Sequence, residues 1–153
     1  MSFEPIGHVS SPRTDQAVDD DWNSVTATIT LTDQFSADAL AGLDQFSHVE
    51  IVYLFDQVNP DDVLLTSRHP RSNPDWPKVG IFAQRAKMRP NRIGVTVCRL
   101  LGVDGVTLTV EALDAIHGTP VLDIKPYMAE FGPRGEVHQP VWSHELMSSY
   151  WRR

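Results

Sequence analysis

The chain has 153 residues, a net charge of −7 and a single cysteine. This length suits one domain with a single hydrophobic core, the acidity argues against a general polyanion binder, and the lone cysteine excludes an internal disulfide. No stretch is long and apolar enough to span a bilayer, and the first residues lack a signal-peptide pattern, so we expect a cytoplasmic protein without a membrane partner.

The first predicted elements are a strand, a short helix and a second strand. Residues 22–32 place apolar side chains at every second position and hydroxyl side chains between them, which predicts a half-buried strand. Ser36 is a preferred cap for a short helix through Leu40, and Gly42 can end that helix. Residues 48–55 are β-branched and aromatic, as a buried strand would be.

The second half of the chain continues with strands and turns. Residues 79–84 and 93–101 are predicted strands on either side of the turn at residues 89–91, where proline fixes φ and asparagine tolerates turn geometry. Residues 102–105 predict a hairpin turn with Asp-Gly as its signal, and residues 106–113 alternate again. Several strands with few helices indicate an all-β or β-rich fold, a small single-domain barrel.

Two segments and one residue complete this interpretation. Residues 59–77 hold four prolines and are expected to form a surface loop. We divide the chain into a barrel domain at residues 1–140 and a tail at residues 141–153, in which residues 144–153 can form a short amphipathic helix. Cys98 lies in an alternating run and is expected to be a buried small side chain rather than a nucleophile.

Positive charge is concentrated in one segment. Residues 67–103 hold eight of the thirteen basic residues and one acidic residue, whereas the first 62 residues hold one basic residue and twelve acidic ones. A local cationic face can bind an anionic ligand or one stretch of RNA, and a solvated basic surface is the alternative. The eight are Arg68, Arg71, Lys78, Arg85, Lys87, Arg89, Arg92 and Arg99.

Four motifs in chain order carry a family resemblance. They are Ile6-Gly7-His8-Val9-Ser10-Ser11-Pro12, Gly42-Leu43-Asp44-Gln45-Phe46-Ser47-His48, the string from Gly80 to Gly94 (GIFAQRAKMRPNRIG), and the string from Leu113 to Tyr127 (LDAIHGTPVLDIKPY). Together they resemble the TsaA-like family, the TrmO-type tRNA adenine-N6-methyltransferases, in its short single-domain form. The resemblance implies a small β-barrel that dimerises and holds its cofactor near the subunit interface.

The resemblance also implies S-adenosylmethionine as the cofactor and N6 of threonylcarbamoyladenosine, beside the anticodon of tRNA, as the acceptor. The residues alone would not identify this cofactor, because no G-x-G-x-x-G follows a strand. Carried over by motif position, the cofactor contacts are Pro12, Arg13, Ser47, His48, Arg85, Val95, Ile116, His117, Gly118 and Thr119.

Methyl transfer to adenine needs a hydrogen-bond acceptor or base, because the lone pair of the exocyclic amine is delocalised into the ring. The predicted catalytic residues are Asp114, Asp123 and His48, with His117 as a further candidate. Structural alternatives remain for several of them: an ion pair of Asp123 with Lys125, an ion pair of Arg85 with Asp114 or Asp123, and a structural role for His48.

The predicted tRNA-binding residues are Lys87, Arg89, Asn91, Arg92, Lys125 and Tyr127. Two positions depart from the family pattern: His117 replaces the usual aspartate before Gly-Thr-Pro, and Arg92 replaces the usual proline or histidine after Arg-Pro-Asn. No H-x-H, H-x₃-H or C-x₂-C spacing occurs, so no metal site is expected. Two other functions stay open: a methyltransferase of the same barrel with a small-molecule acceptor, and a non-catalytic module that binds S-adenosylmethionine.

Overall fold

Six of the eight strands close into one antiparallel barrel in the computed structural model, which describes residues 1–152. The strands are β1 (Gly7–Ser10), β2 (Thr26–Leu31), β3 (His48–Leu54), β4 (Ser67–Arg68), β5 (Val79–Gly80), β6 (Ile93–Asp104), β7 (Thr107–Glu111) and β8 (Pro120–Pro126), and the one α-helix within the described residues is α1 (Val141–Met147). The barrel order is β1-β2-β7-β6-β3-β8, and β8 pairs back with β1. The predicted β-rich barrel is confirmed.

The core lies inside this barrel and follows from strand alternation. In β3, Val49, Ile51 and Tyr53 are buried, and the residues between them face outward. Val9, Ile29, Leu108 and Val121 complete the centre from neighbouring strands. Burying one such side chain contributes about 1.5–3 kcal/mol relative to leaving it exposed. Burial of this inner face is therefore the main favourable contribution to the free energy of folding. Cys98 belongs to the same core, as expected, and burial raises the pKa of its thiol to about 12.

The strand predicted at residues 79–84 is mostly wrong. Only Val79 and Gly80 pair, with β4, and residues Ile81–Ala83 form a 3-10 turn. The turn is set by tertiary contacts: Ile81 is buried, and the buried amide of Gln84 donates to the carbonyl of Val79 at 3.0 Å. The turn leaves the side chain of Phe82 78% exposed.

The hairpin between β6 and β7 lies later than predicted. β6 continues to Asp104, which pairs with Thr107, so the turn consists of Gly105 and Val106. Gly105 has a φ of 60°, which glycine tolerates at the first central position of a tight hairpin turn. The Asp-Gly signal therefore marks the turn correctly, but its first residue still belongs to the strand.

The elements outside the barrel are short. The predicted loop at residues 59–77 is largely irregular and contributes only β4 and two 3-10 turns. The C-terminal helix begins at Val141, earlier than the expected 144, and ends at Met147; residue 153 lies outside the described part. Within residues 1–152, no helix is long and apolar enough to cross a membrane.

Candidate active site

A cleft of about 1160 Å³ lies on one side of β3 and β6 of the barrel. Its other walls come from the basic segment around residues 82–89 and the C-terminal residues 139–151, with further lining residues within the ranges 16–22, 56–58, 68–72 and 114–119. Asp114 lines the cleft between these walls. The chain reaches Asp114 by leaving β7 at Ala112, whose φ of 70° is unusual for a residue with a side chain.

The carboxylate of Asp114 is held by three hydroxyl groups. Tyr53 donates to Oδ1 at 3.0 Å, and Thr96 donates to the same oxygen. Tyr150, from the C-terminal segment, donates to Oδ2. These three donors satisfy a charged acceptor in a partly buried place, and hydrogen bonds to a charged group are the stronger kind.

Gly94 allows Tyr53 to reach Asp114. A Cβ atom at position 94 would lie 2.6 Å from Cζ of Tyr53 and 2.8 Å from Cζ of Phe55, closer than real contacts allow. Without that atom the Tyr53 ring packs against the backbone of β6, with Phe55 edge-on at 5.3 Å between ring centroids. The glycine in the family motif therefore has a packing reason at this site.

Both tyrosines remain neutral donors at any ordinary pH. Burial raises the pKa of Tyr53 and of Tyr150 well above the usual value, and the charge of Asp114 raises it further. The positive charge of Arg85 opposes this rise in both cases. The site thus combines one carboxylate, two protonated phenols and a nearby guanidinium.

Five cationic side chains line the same cleft: Arg68, Arg71, Arg85, Lys87 and Arg89. Arg85 donates to the carbonyl of Val95 at 2.9 Å, and Arg89 donates to that of Gln84 at 2.6 Å. Among the described residues, neither forms an ion pair with a carboxylate, so the alternative of an Arg85 ion pair with Asp114 or Asp123 is not seen. The charges of these two guanidinium groups are therefore available to bind an anionic ligand.

The structure brings seven of the predicted site residues to the cleft. They are Asp114, Arg85, Val95, Ile116 and Thr119, together with Lys87 and Arg89. Four others form a neighbouring cluster outside the cleft lining: Pro12, Arg13, His117 and Gly118. There the amide of His117 donates to the carbonyl of Arg13 at 2.8 Å, while the Arg13 guanidinium lies 3.9 Å from the centre of the Trp22 ring.

Ser47 and His48 lie together at the start of β3. Their side chains hydrogen-bond at 2.7 Å between Oγ and Nδ1, and neither residue lines the cleft. Glu50, two residues later on the same outer face of β3, does line it. His48 therefore lies beyond the margin of the cleft within one copy of the chain.

The remaining predicted residues lie elsewhere. Asp123 pairs with Lys125 at 2.7 Å, which is the structural alternative expected for it. Arg92 donates to the carbonyl of Val58 at 2.7 Å. Neither these residues nor Asn91 and Tyr127 line the cleft. Asn91 does adopt a left-handed φ of 63°, in keeping with the turn geometry predicted for it.

Four site residues were missed by the sequence interpretation: Tyr53, Thr96, Tyr150 and Phe82. Tyr53 and Thr96 sit in apolar strands and carry no local signal. Tyr150 lies within the helix expected at residues 144–153 but beyond the end of α1. Phe82 had a signal, since it is the one aromatic residue in the string from Gly80 to Gly94, and it lines the cleft while remaining exposed. No group of His, Cys, Asp and Glu among the described residues could hold a metal ion.

The comparisons with known proteins agree with the family resemblance of the four sequence motifs. A family profile described as the N-terminal domain of tRNA-methyltransferase O matches residues 9–132. A tRNA (adenine(37)-N6)-methyltransferase of Homo sapiens is 40% identical over 111 residues, 72% of this chain and 25% of that protein. A probable S-adenosyl-L-methionine-binding protein of Pyrococcus abyssi is 34% identical over 145 residues, 90% of this chain and 73% of that protein.

Solved structures agree with these matches. The crystal structure of TrmO from Pseudomonas aeruginosa superposes with a TM-score of 0.74 at 31% identity, covering 92% of this chain and 62% of that one. The chain thus spans only a quarter of the human relative and less than two thirds of the bacterial structure.

Proposed function

This chain belongs to the tRNA-methyltransferase O N-terminal domain family, and on that premise we propose that it methylates N6 of threonylcarbamoyladenosine in tRNA with S-adenosylmethionine. The observation that carries the proposal is the carboxylate of Asp114, held by three hydroxyl groups in a cleft that five cationic side chains also line. The names of the relatives, an adenine-N6-methyltransferase and an S-adenosylmethionine-binding protein, support the same activity.

The residues of the cleft fit S-adenosylmethionine. Its carboxylate requires an arginine or backbone donors, and Arg85 offers a guanidinium without a carboxylate partner among residues 1–152. Its sulfonium favours oxygen and aromatic neighbours, which Tyr150 supplies, and Ile116 adds apolar surface for the adenine. When bound, the cofactor supplies an electrophilic methyl carbon.

In the proposed reaction, Asp114 assists the nucleophile. Its carboxylate would accept a hydrogen bond from the N6–H group of the substrate, which increases the electron density on nitrogen as the N–C bond forms and the S–C bond of the cofactor breaks, with S-adenosylhomocysteine as the leaving group. Asp114 then takes the N6 proton. The cleft walls hold the reacting atoms in line, and alignment of this kind can supply much of the rate acceleration.

The cationic lining and Phe82 favour an RNA acceptor. Arg68, Arg71, Lys87 and Arg89 come from separate stretches of the basic segment, and the barrel brings them to one cleft. Phe82 is 78% exposed beside them and offers a ring on which a base can stack. Phosphate contacts and base stacking together suit an unpaired anticodon-loop nucleotide better than a small neutral acceptor.

Mass spectrometry of tRNA nucleosides tests the proposal directly. We expect the N6-methylated form of threonylcarbamoyladenosine in cells that carry this gene and its loss when the gene is deleted. The purified protein should restore it with S-adenosylmethionine and tRNA. Cofactor binding without turnover on any tRNA would instead indicate a non-catalytic module, and turnover on a metabolite alone would indicate a small-molecule methyltransferase.

We predict that charge reversal of Lys87 and Arg89 weakens tRNA use selectively. The double variant Lys87→Glu, Arg89→Glu should raise the KM for tRNA about tenfold or more and flatten its logarithmic salt dependence by about 2, because each lost phosphate contact lowers that slope by about 1. Cofactor affinity should change less than twofold. Steady-state kinetics at several salt concentrations measure both effects.

Arg134→Glu is the control, and it is matched to the single variant Arg89→Glu. Arg134 is an exposed arginine outside the cleft, so its charge reversal should leave the KM for tRNA unchanged, whereas Arg89→Glu should raise it. Equal effects of these two single substitutions would mean that the whole surface, and not the cleft, binds the RNA.

We also propose that the protein is a homodimer. Ser47 and His48, implied cofactor contacts, lie outside the cleft of their own chain, and a second copy could bring them to it. On the outer face of β6, Val97 is 41% and Leu101 is 53% exposed, which is apolar surface that a twofold contact would cover.

Light scattering checks this prediction. We expect about twice the chain mass of 17.1 kDa at micromolar concentration. Leu101→Asp should shift the protein towards monomer, because it places a charge in the proposed contact, whereas Val137→Asp, at an exposed position after the barrel, should not. A monomeric wild-type protein, with S-adenosylmethionine present, would contradict the dimer.

A further inference from the structure

The C-terminal segment, residues 141–152, forms one wall of the cleft although it lies beyond the part that matches the family. That match ends at residue 132. The residues of the segment that line the cleft are Trp142, Ser143, Leu146, Met147, Tyr150 and Trp151. The family profile therefore does not account for this wall of the cleft.

The segment is fixed to two loops, the one between β1 and β2 and the one between β4 and β5. The amides of Asp21 and Trp22 donate to the carbonyls of Ser149 and Tyr150 at 3.1 and 2.9 Å. Farther along, Trp76 donates through Nε1 to Glu145 at 2.8 Å. Because the Tyr150 carbonyl is tied directly to the buried Trp22, the backbone from which the Tyr150 ring extends is well positioned.

Tyr150 has a contact with Asp114 that no other described residue makes. Tyr53 and Thr96 both donate to Oδ1, and they alone would fix one oxygen of the carboxylate. Tyr150 is the single protein donor to Oδ2 within residues 1–152. Because the two oxygens turn together about the Cβ–Cγ bond, Tyr150 adds a third restraint on the carboxylate plane, and it acts directly at the oxygen that Tyr53 and Thr96 leave open.

We propose that Tyr150 is a positioning residue, which orients Oδ2 of Asp114 towards the reacting N6 nitrogen. The C-terminal segment then belongs to the active site. The consequence for the rate rests on the proposed function. A carboxylate oxygen can accept two hydrogen bonds, so Oδ2 keeps capacity for the substrate N–H beside the bond from Tyr150. Tyr150 does not itself exchange a proton, since its phenol stays neutral in this environment.

The variant Tyr150→Phe tests the proposal, because it removes the hydroxyl and keeps the ring in the wall. We expect kcat to fall about 10- to 100-fold, the range for one lost hydrogen bond to a charged group. The affinities for S-adenosylmethionine and tRNA should remain within about twofold. Glu145→Ala is the matched control: it releases the segment from Trp76 without touching Asp114 or the cleft, and should leave kcat unchanged while lowering the thermal stability.

A second readout does not depend on catalysis. In protein labelled with ¹³C at aspartate carboxyl groups, Tyr150→Phe should move the Asp114 resonance, and Glu145→Ala should not. An unmoved resonance, an unchanged kcat, or a fall in kcat matched by Glu145→Ala would overturn the positioning role. A rise in kcat would overturn it too, since Tyr150 would then occupy the place of the substrate amine. If wild-type protein methylates no tRNA, the proposed function fails, and the resonance still decides the role of Tyr150.

Discussion

Replacing Asp114 by Asn is expected to lower kcat on tRNA by about 10²- to 10⁴-fold, the range contributed by general acid–base assistance. The amide keeps the size of the side chain, but it has no negative charge and cannot take the N6 proton. The hydroxyls of Tyr53 and Thr96 can still donate to its oxygen, so the variant should fold. Rapid-quench measurement of a single turnover isolates the chemical step from product release.

Asp123→Asn is the informative comparison for that variant. Both aspartates belong to the same motif string and both were predicted to be catalytic, yet only Asp114 lines the cleft. Asp123 is occupied by an ion pair with Lys125, and its loss should change kcat less than threefold, since exposed ion pairs contribute about 0–1 kcal/mol. If Asp123→Asn removed activity and Asp114→Asn did not, the assignment of the acceptor would be wrong.

Replacing Arg85 by Ala is expected to weaken S-adenosylmethionine binding about ten- to a hundred-fold. The loss corresponds to one charge-assisted hydrogen bond to the carboxylate of the cofactor, roughly 1.5–3 kcal/mol. Arg85 forms no ion pair among the described residues, and its contact with the carbonyl of Val95 fixes the guanidinium at the cleft. Isothermal calorimetry on the purified protein measures the change.

Lys87→Ala is the matched control for Arg85→Ala. Both residues are cations of the same cleft, but Lys87 is assigned to the RNA, so its loss should leave cofactor affinity within about twofold. Arg85→Lys should give an intermediate loss, because an ammonium group keeps the charge without the planar fork of the guanidinium. Unchanged affinity in Arg85→Ala would remove Arg85 from the cofactor site.

The elements predicted correctly are those with a strong local pattern. β2 and β3 carry side-chain alternation or a dense β-branched run, and either is readable within a few residues. The short strand β1 and the proline-initiated β8 were not assigned as strands, because four residues or a leading proline give little periodic signal. The strand predicted at residues 79–84 was mostly wrong because the buried amide of Gln84 donates to the carbonyls of Arg68 in β4 and Val79 in β5 and so sets the local backbone.

By itself, the sequence determined the barrel class, the family and the concentration of positive charge, since alternation, motifs and composition are all local properties. The motif string also contained Asp114, but it could not separate Asp114 from Asp123. Only the tertiary structure decided that, because the hydroxyls on Asp114 come from Tyr53, Thr96 and Tyr150, which lie 61, 18 and 36 residues away from it along the chain. Barrel closure and the docked C-terminal segment bring these groups within hydrogen-bond distance, and no local pattern records a contact over such separations.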